Sequence, residues 1–223
     1  MCLLVSDAGA QSTNSFPEMP VDIRTARVQA QAEEVFLRTD YERAFFIYRN
    51  ELVPIGDKYG QYMVGFMYLT GKGVDEDIVV ASAWYRLAAE RGIRQFEHVR
   101  DQLMAKLDDV ERGRSDALFV ELRQKYGDLA LLTKAIREDY DTLRGRTGSR
   151  VRAGSSPVTI LEARSGGATR SGSDYYGQIE RRIQARLEYI QKHTDIDIID
   201  MNVDSVDIDS LERQVIAHLG QVN

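Results

Sequence analysis

The chain has 223 residues and a single cysteine, Cys2, which excludes an intrachain disulfide and any cysteine-based zinc site. Proline is scarce, at four residues, while Ala, Leu, Glu, Arg and Gln are plentiful, a balance that favours helix. No stretch of 18 apolar residues occurs, so no helix can span a membrane. An excess of positive charge is lacking too: the net charge of −6 leaves no global basic field to hold nucleic acid. Motifs of common chemistries are missing. There is no Gly-x-Ser-x-Gly and no His-Glu-x-x-His. His98, His193 and His218 are isolated, with no pair at helical i, i+4 spacing. No catalytic residue, metal ligand or cofactor is assigned from the sequence.

What is present is unevenly distributed. Between Arg144 and Arg170 six arginines face one acid, Glu162, for a local charge of +5. Between Asp195 and Glu212 there are seven acids and no Lys or Arg, for −7. The two blocks are suited either to attract one another or to serve separate partners. At the N-terminus a short apolar patch runs into Ala8-Gly9-Ala10, the small-x-small pattern of an export-signal cleavage site. Two readings stand: the tail of an export signal, implying a periplasmic or secreted protein, or a frayed terminus of a cytoplasmic one.

The chain divides into four segments. Residues 1–21, polar and with Pro17 and Pro20, read as a loose lead-in. Residues 22–144 read as a helical domain. Helices are expected over about 22–38 (stripe Ile23, Ala26, Ala30, Phe36 or Leu37) and from an Asp40 N-cap to Pro54 (Ala44, Ile47, Tyr48, Leu52). Further helices are expected over 58–69, 77–92, 94–107, 110–126 and 129–143, the last striped by Leu132, Ile136, Tyr140 and Leu143. Residues 145–173 are Gly, Ser or Arg at 17 of 29 positions and read as a flexible linker, interrupted by the strand-like "PVTILEA" of 157–163. Residues 174–223 read as a C-terminal helical segment. Ile179, Ile183, Leu187 and Ile190 stripe its first helix, "DIDIIDMNV" is extended, and a last helix covers 209–219.

Within the helical domain the chain repeats itself at 37 residues. "DYERAFFIYR" (40–49) aligns with "DIVVASAWYR" (77–86), matching Asp40 with Asp77, Ala44 with Ala81, Tyr48 with Tyr85 and Arg49 with Arg86. A period in the thirties built from helix pairs is that of a helical solenoid. The stretch "GQYMVGFMYLTGKGVDEDIVVASAWYRLAAERG" (60–92) resembles the Sel1-like repeat, a relative of the tetratricopeptide repeat. The resemblance is carried by Gly65, Tyr68, Gly71, Gly73, Asp77, Ala81, Trp84, Tyr85, Ala88 and Gly92. It implies an all-α fold: a short α-solenoid of helix pairs, with a degenerate preceding unit and capping helices after Gly92. Gly65 is expected to permit close helix contact, Gly71 and Gly73 to turn the chain, and Asp77 to cap the second helix.

Two tempting sites give way. "GFMYLTGKGV" imitates a phosphate loop, but Gly65 and Gly71 are separated by five residues rather than four, and Gly73 stands where a Ser or Thr must meet magnesium. Lys72 is therefore expected to be a solvent-facing turn residue. "DMNVDSVDIDSLE" (200–212) imitates a calcium loop at Asp200, Asn202 and Asp204, but Ser205 replaces the glycine and Leu211 the bidentate glutamate. An acidic turn leading into the last helix is expected instead.

The resemblance implies a non-enzymatic adaptor or scaffold holding an unidentified protein or peptide on a concave helical face, and together with Ala8-Gly9-Ala10 it gives the expectation of a bacterial cell-envelope protein. Tyr59, Tyr62, Tyr68 and Tyr85 are the candidate partner surface, because aromatics commonly anchor interfaces. Two alternatives rank lower. One is hydrolysis of the β-lactamase kind credited to cysteine-rich relatives, whose disulfides this chain lacks. The other is nucleic-acid binding through the basic linker, which has no interleaved aromatics.

Overall fold

A computed structural model describes residues 23–147, 159–162, 168–198 and 200–221. The lead-in, including Ala8-Gly9-Ala10, lies outside the described residues. The described chain forms nine α-helices and one antiparallel two-stranded hairpin, divided into two compact units at Asp128 and Leu129. The helical domain expected over 22–144 ends earlier, and helix α7 groups with the C-terminal residues.

The first unit is three helix pairs: α1 (Ile23–Leu37) with α2 (Tyr41–Ile47), α3 (Lys58–Thr70) with α4 (Ile78–Ala88), and α5 (Arg94–Met104) with α6 (Asp109–Tyr126). Helix α4 is central and packs against α3, α5 and α6. Local sequence explains the boundaries. Asp77 caps α4 by accepting from the Val79 and Val80 amides at 2.9 and 3.0 Å. Asp108 and Glu111 form a reciprocal capping box on α6. After α2 the helix widens into a π turn over Tyr48–Leu52 and tightens into a 3₁₀ turn over Val53–Ile55, where Pro54 removes a backbone donor. Asp40 makes no side-chain cap bond, contrary to the sequence expectation.

The 37-residue repeat survives in three dimensions. Ala44 and Ala81 are fully buried, and so, within 1 %, are Tyr48 and Tyr85. The stripe of α2 is buried as expected. That of α1 is not: Ala26 and Ala30 are exposed and Leu37 is 77 % exposed, while Ala32 and Val35 enter the core. Alanine is weakly apolar and does not reveal a helix's phase on its own.

The glycines do the expected work. A Cβ on Gly65 would lie 3.2 Å from Trp84 Cβ and 3.3 Å from Tyr85 Cδ2, so α3 and α4 touch there through a missing side chain. Gly71, Gly73 and Gly92 have φ of +63°, +74° and +69°. Gly73 is doubly constrained, since a Cβ would also fall 2.4 Å from the Tyr41 carbonyl oxygen.

The second unit contains α7 (Asp128–Thr147), β1 (Thr159–Glu162), β2 (Ala168–Ser171), α8 (Gly172–His193) and α9 (Ile208–Leu219). Its core joins Ile136 and Leu143 of α7 to Ile179, Ile183, Leu187 and Ile190 of α8, and to Leu211, Val215 and Leu219 of α9. The expected flexible linker falls partly outside the described residues. Where it is described it contains the end of α7, both strands and the start of α8, with Thr159 opposite Ser171 and Glu162 opposite Ala168. Residues 195–198 alternate, Ile196 and Ile198 buried and Asp195 and Asp197 exposed, without forming a strand.

The acidic block is tied down locally. Arg137 holds Glu212 and Asp209, and His218 holds Asp195 at 2.8 Å. Arg182 and Arg186 both grip Asp139. Arg137 lies outside the arginine-rich block that the charge count had singled out.

Gly73→Ala should cost at least about 2 kcal/mol in urea denaturation, because both its φ and its clash with the Tyr41 backbone must be relieved. Gly113→Ala is the matched control. It sits within α6 with open space around it and should gain about 0.5–1 kcal/mol.

Candidate functional site

Helix α3 carries aromatics at 59, 62 and 66, a spacing of three and four that puts them along one face. Tyr59 and Tyr62 are half-buried and stack with centroids 6.4 Å apart and ring planes 12° from parallel. Tyr62 stacks in turn on Phe96 of α5 at 4.7 Å and meets the edge of Tyr85 at 5.0 Å. At the other end Tyr59 stands edge-on to Tyr48 at 6.3 Å. A ladder of five rings thus runs from the π turn after α2, across α3 and α4, to α5. Burial pushes the Tyr59 phenol up to about 12, with the Glu33 carboxylate adding to the rise. Burial raises Tyr62 as well, and drives Tyr48 and Tyr85 far above the ordinary phenol value. All four are neutral at physiological pH and present O–H donors. Tyr59 directs its donor at Glu33 Oε1, 3.4 Å away.

The four tyrosines proposed from sequence are therefore not one surface. Tyr59 and Tyr62 are stacked together and only partly buried. Tyr68 belongs elsewhere, edge-on to Phe45 at 5.5 Å. Tyr85 is 1 % exposed and is a core residue rather than a docking group. Of the repeat positions, Ala81 and Ala88 are fully buried, and Trp84 stacks on Tyr126 of α6 at 6.1 Å. Phe96 was not found by sequence reading: a single phenylalanine in the polar helix "RQFEHVRDQLM" gives no sign that it ends an aromatic ladder.

Residues 58–93 match the family model of the Sel1 repeat. The chain carries a Sel1 repeat. Neither a curated protein nor a solved structure is significantly similar to it. The Sel1 match coincides with α3, α4 and the turn to Gly92, the helix pair that holds Tyr59 and Tyr62.

The Sel1 repeat is clamped at both ends by groups from neighbouring pairs. Arg49 lies over the rings of Trp84 and Tyr126, at 5.0 Å from each, and donates to the Tyr126 hydroxyl at 2.9 Å. Its repeat equivalent Arg86 lies 4.2 Å over Phe119 and pairs with Asp116. The same arginine position thus stitches two successive pairs onto α6. Beneath α3, Lys58 is only 5 % exposed. Its ammonium donates to Gln61 Oε1, the Leu87 carbonyl and Glu90 Oε2 at 3.2, 3.0 and 2.8 Å, and pairs with Asp128 Oδ1 at 3.2 Å. Arg91 completes the network with two 2.9 Å bonds to Asp128. A basic residue at the start of α3 carries no sequence mark of burial; only the later Glu90, Arg91 and Asp128 make it tolerable.

Lys72, expected to face solvent, is half-buried. Its ammonium lies 5.3, 5.0 and 5.4 Å from the rings of Phe36, Tyr41 and Phe66. The Gly-Lys-Gly turn of the Sel1 repeat is thereby fastened to α1 and α2. The calcium-like loop is closed on itself: Asp200 accepts from the Asn202 amide and the Ser205 hydroxyl, and Asn202 accepts from the Asp204 amide. Asp207 then caps α9 through Ser210. Among the described residues no group of three or more His, Cys, Asp or Glu is placed to hold a metal ion.

Lys58→Met should lose about 1–3 kcal/mol in chemical denaturation, since the buried Leu87 carbonyl and Gln61 Oε1 lose a donor and Glu90 its nearest cation, while Asp128 keeps Arg91. Asp57, the N-cap of α3, supplies a pH test. Burial raises its carboxyl above the ordinary 3.8, against the lowering effect of bonds from Gly60 and Gln29. The folded state therefore holds this proton more tightly than the unfolded one. That contribution is complete below 3.8 and is lost as pH rises through the raised folded value. Asp57→Asn keeps the cap acceptor, so its stability relative to the parent should increase between about pH 4 and pH 7, read as Tm against pH.

Proposed function

We propose that the chain is a non-enzymatic adaptor that holds an extended segment of a partner protein across Tyr59 and Tyr62 of its Sel1 repeat, in the bacterial cell envelope. Sel1 repeats generally mediate protein–protein interaction, and this one lies among helix pairs that hold it rigidly. The observation that carries the reading is the ring ladder: two partly buried tyrosines, braced from below by buried Tyr48, Tyr85 and Phe96. Such rings offer large contact area at little entropic cost, the usual quality of an interface anchor. The envelope location rests on Ala8-Gly9-Ala10.

Cross-linked capture from native extract tests the docking face. The full chain should retain specific proteins that the Tyr59→Ala/Tyr62→Ala double variant, still helical by circular dichroism, releases. Identical protein sets from both would sink the assignment of the face. Cell fractionation checks the location, and recovery in the cytosol alone would contradict it.

A further inference from the structure

The hydroxyl of Tyr48 is buried and has no hydrogen-bond partner, the one such side-chain atom among the described residues. The residue is 0 % exposed, and its repeat equivalent Tyr85 has its hydroxyl paired with that of Tyr62. A buried phenol left without a partner is destabilising, so its presence asks for a reason. The Tyr48 hydroxyl feels the charge or dipole of three groups, Tyr59, Glu33 and Asp57. They come from α1, from the N-cap of α3 and from its first turn.

Neither carboxylate has an ion pair among the described residues, although the charges of Arg91 and Lys58 reach Asp57 from farther off. Glu33 is exposed, accepts only the long bond from Tyr59 and has no cation at ion-pair distance among the described residues. Asp57 accepts the Gly60 amide and the Gln29 side chain and likewise has no ion pair among the described residues. Elsewhere in this unit Glu90, Asp116 and Asp128 all have a basic partner. The head of the ladder therefore collects acceptors, negative charge and an unused hydroxyl next to the stacked Tyr59 and Tyr62 rings.

We infer that Glu33, Tyr48 and Tyr59 form a socket for a basic side chain, lysine or arginine, of a docked peptide. The inference rests on the docking face proposed above. The aliphatic stem would lie along the tyrosine rings. The cation, which carries donors only, would take Glu33 as its counterion. Displacement of the Tyr59 ring would open the Tyr48 oxygen to it as a further acceptor.

The test pans a phage-displayed random dodecapeptide library on the full chain and measures the recovered peptides, fluorescein-labelled, by anisotropy. Each peptide is also made with its Lys or Arg replaced by norleucine, one residue type at a time, to tell which is read. A shared basic residue is expected. Its replacement, and Glu33→Gln, should each weaken binding about tenfold. Tyr48→Phe is the decisive variant: it should weaken binding while leaving the Tm of the free protein unchanged or higher, since it removes an orphaned hydroxyl. Peptides that need Tyr62 but are indifferent to Glu33→Gln and norleucine would overturn the socket and leave the docking face standing. Tyr48→Phe that lowers Tm without touching affinity would also overturn the socket, exposing a purely structural hydroxyl. Recovery of no peptide would remove both.

Discussion

The close approach of α3 and α4 at Gly65 is the constraint on which the first unit depends. With no side chain at that position, α3 lies so close to α4 that an added Cβ would fall 3.2 Å from Trp84 Cβ and 3.3 Å from the Tyr85 ring. That contact aims two large rings in opposite senses. Trp84 goes toward α6, where Tyr126 and Arg49 receive it, and Tyr85 goes under Tyr62. A side chain at 65 would push the helices apart and loosen both ends of the arrangement at once. The stacking of Trp84 and the support of Tyr62 by Tyr85 therefore both depend on one missing Cβ.

Polar contacts then specify what apolar contact alone would leave loose. Lys58, Glu90, Arg91 and Asp128 come from three places in the chain and satisfy one another in a largely dry setting. Buried ion pairs are weak contributors to net stability, but they penalise any arrangement that separates them. Lys72 does similar work with different chemistry. Its ammonium sits among Phe36, Tyr41 and Phe66, so one turn of the Sel1 repeat is held by three elements. The second unit follows the same division of labour, with an isoleucine- and leucine-rich core sealed by Arg137, Arg182 and Arg186 on acidic partners.

In the proposed docking face the half-buried rings rest on buried ones. Tyr59 and Tyr62 are each in contact with an aromatic ring in the core or at its edge. Glu33 stands at one end of the proposed face, which would give a bound segment a preferred polarity.

Much of this was legible in the sequence. Helix positions followed from apolar spacing and from Asp and Gly at the boundaries, because those signals act through local backbone geometry. The Sel1 repeat, its left-handed glycines and the Asp77 cap were readable for the same reason. The pairing of distant residues was not. That Tyr85 is core while Tyr62 is only partly buried, that Phe96 ends the ladder, that Lys58 is buried and Lys72 ringed by aromatics, and that the units divide at Asp128 all depend on which helix faces which. A helical periodicity gives the phase of one helix relative to itself. Only the tertiary structure sets that phase against its neighbours, and there the identity of a side chain becomes its role.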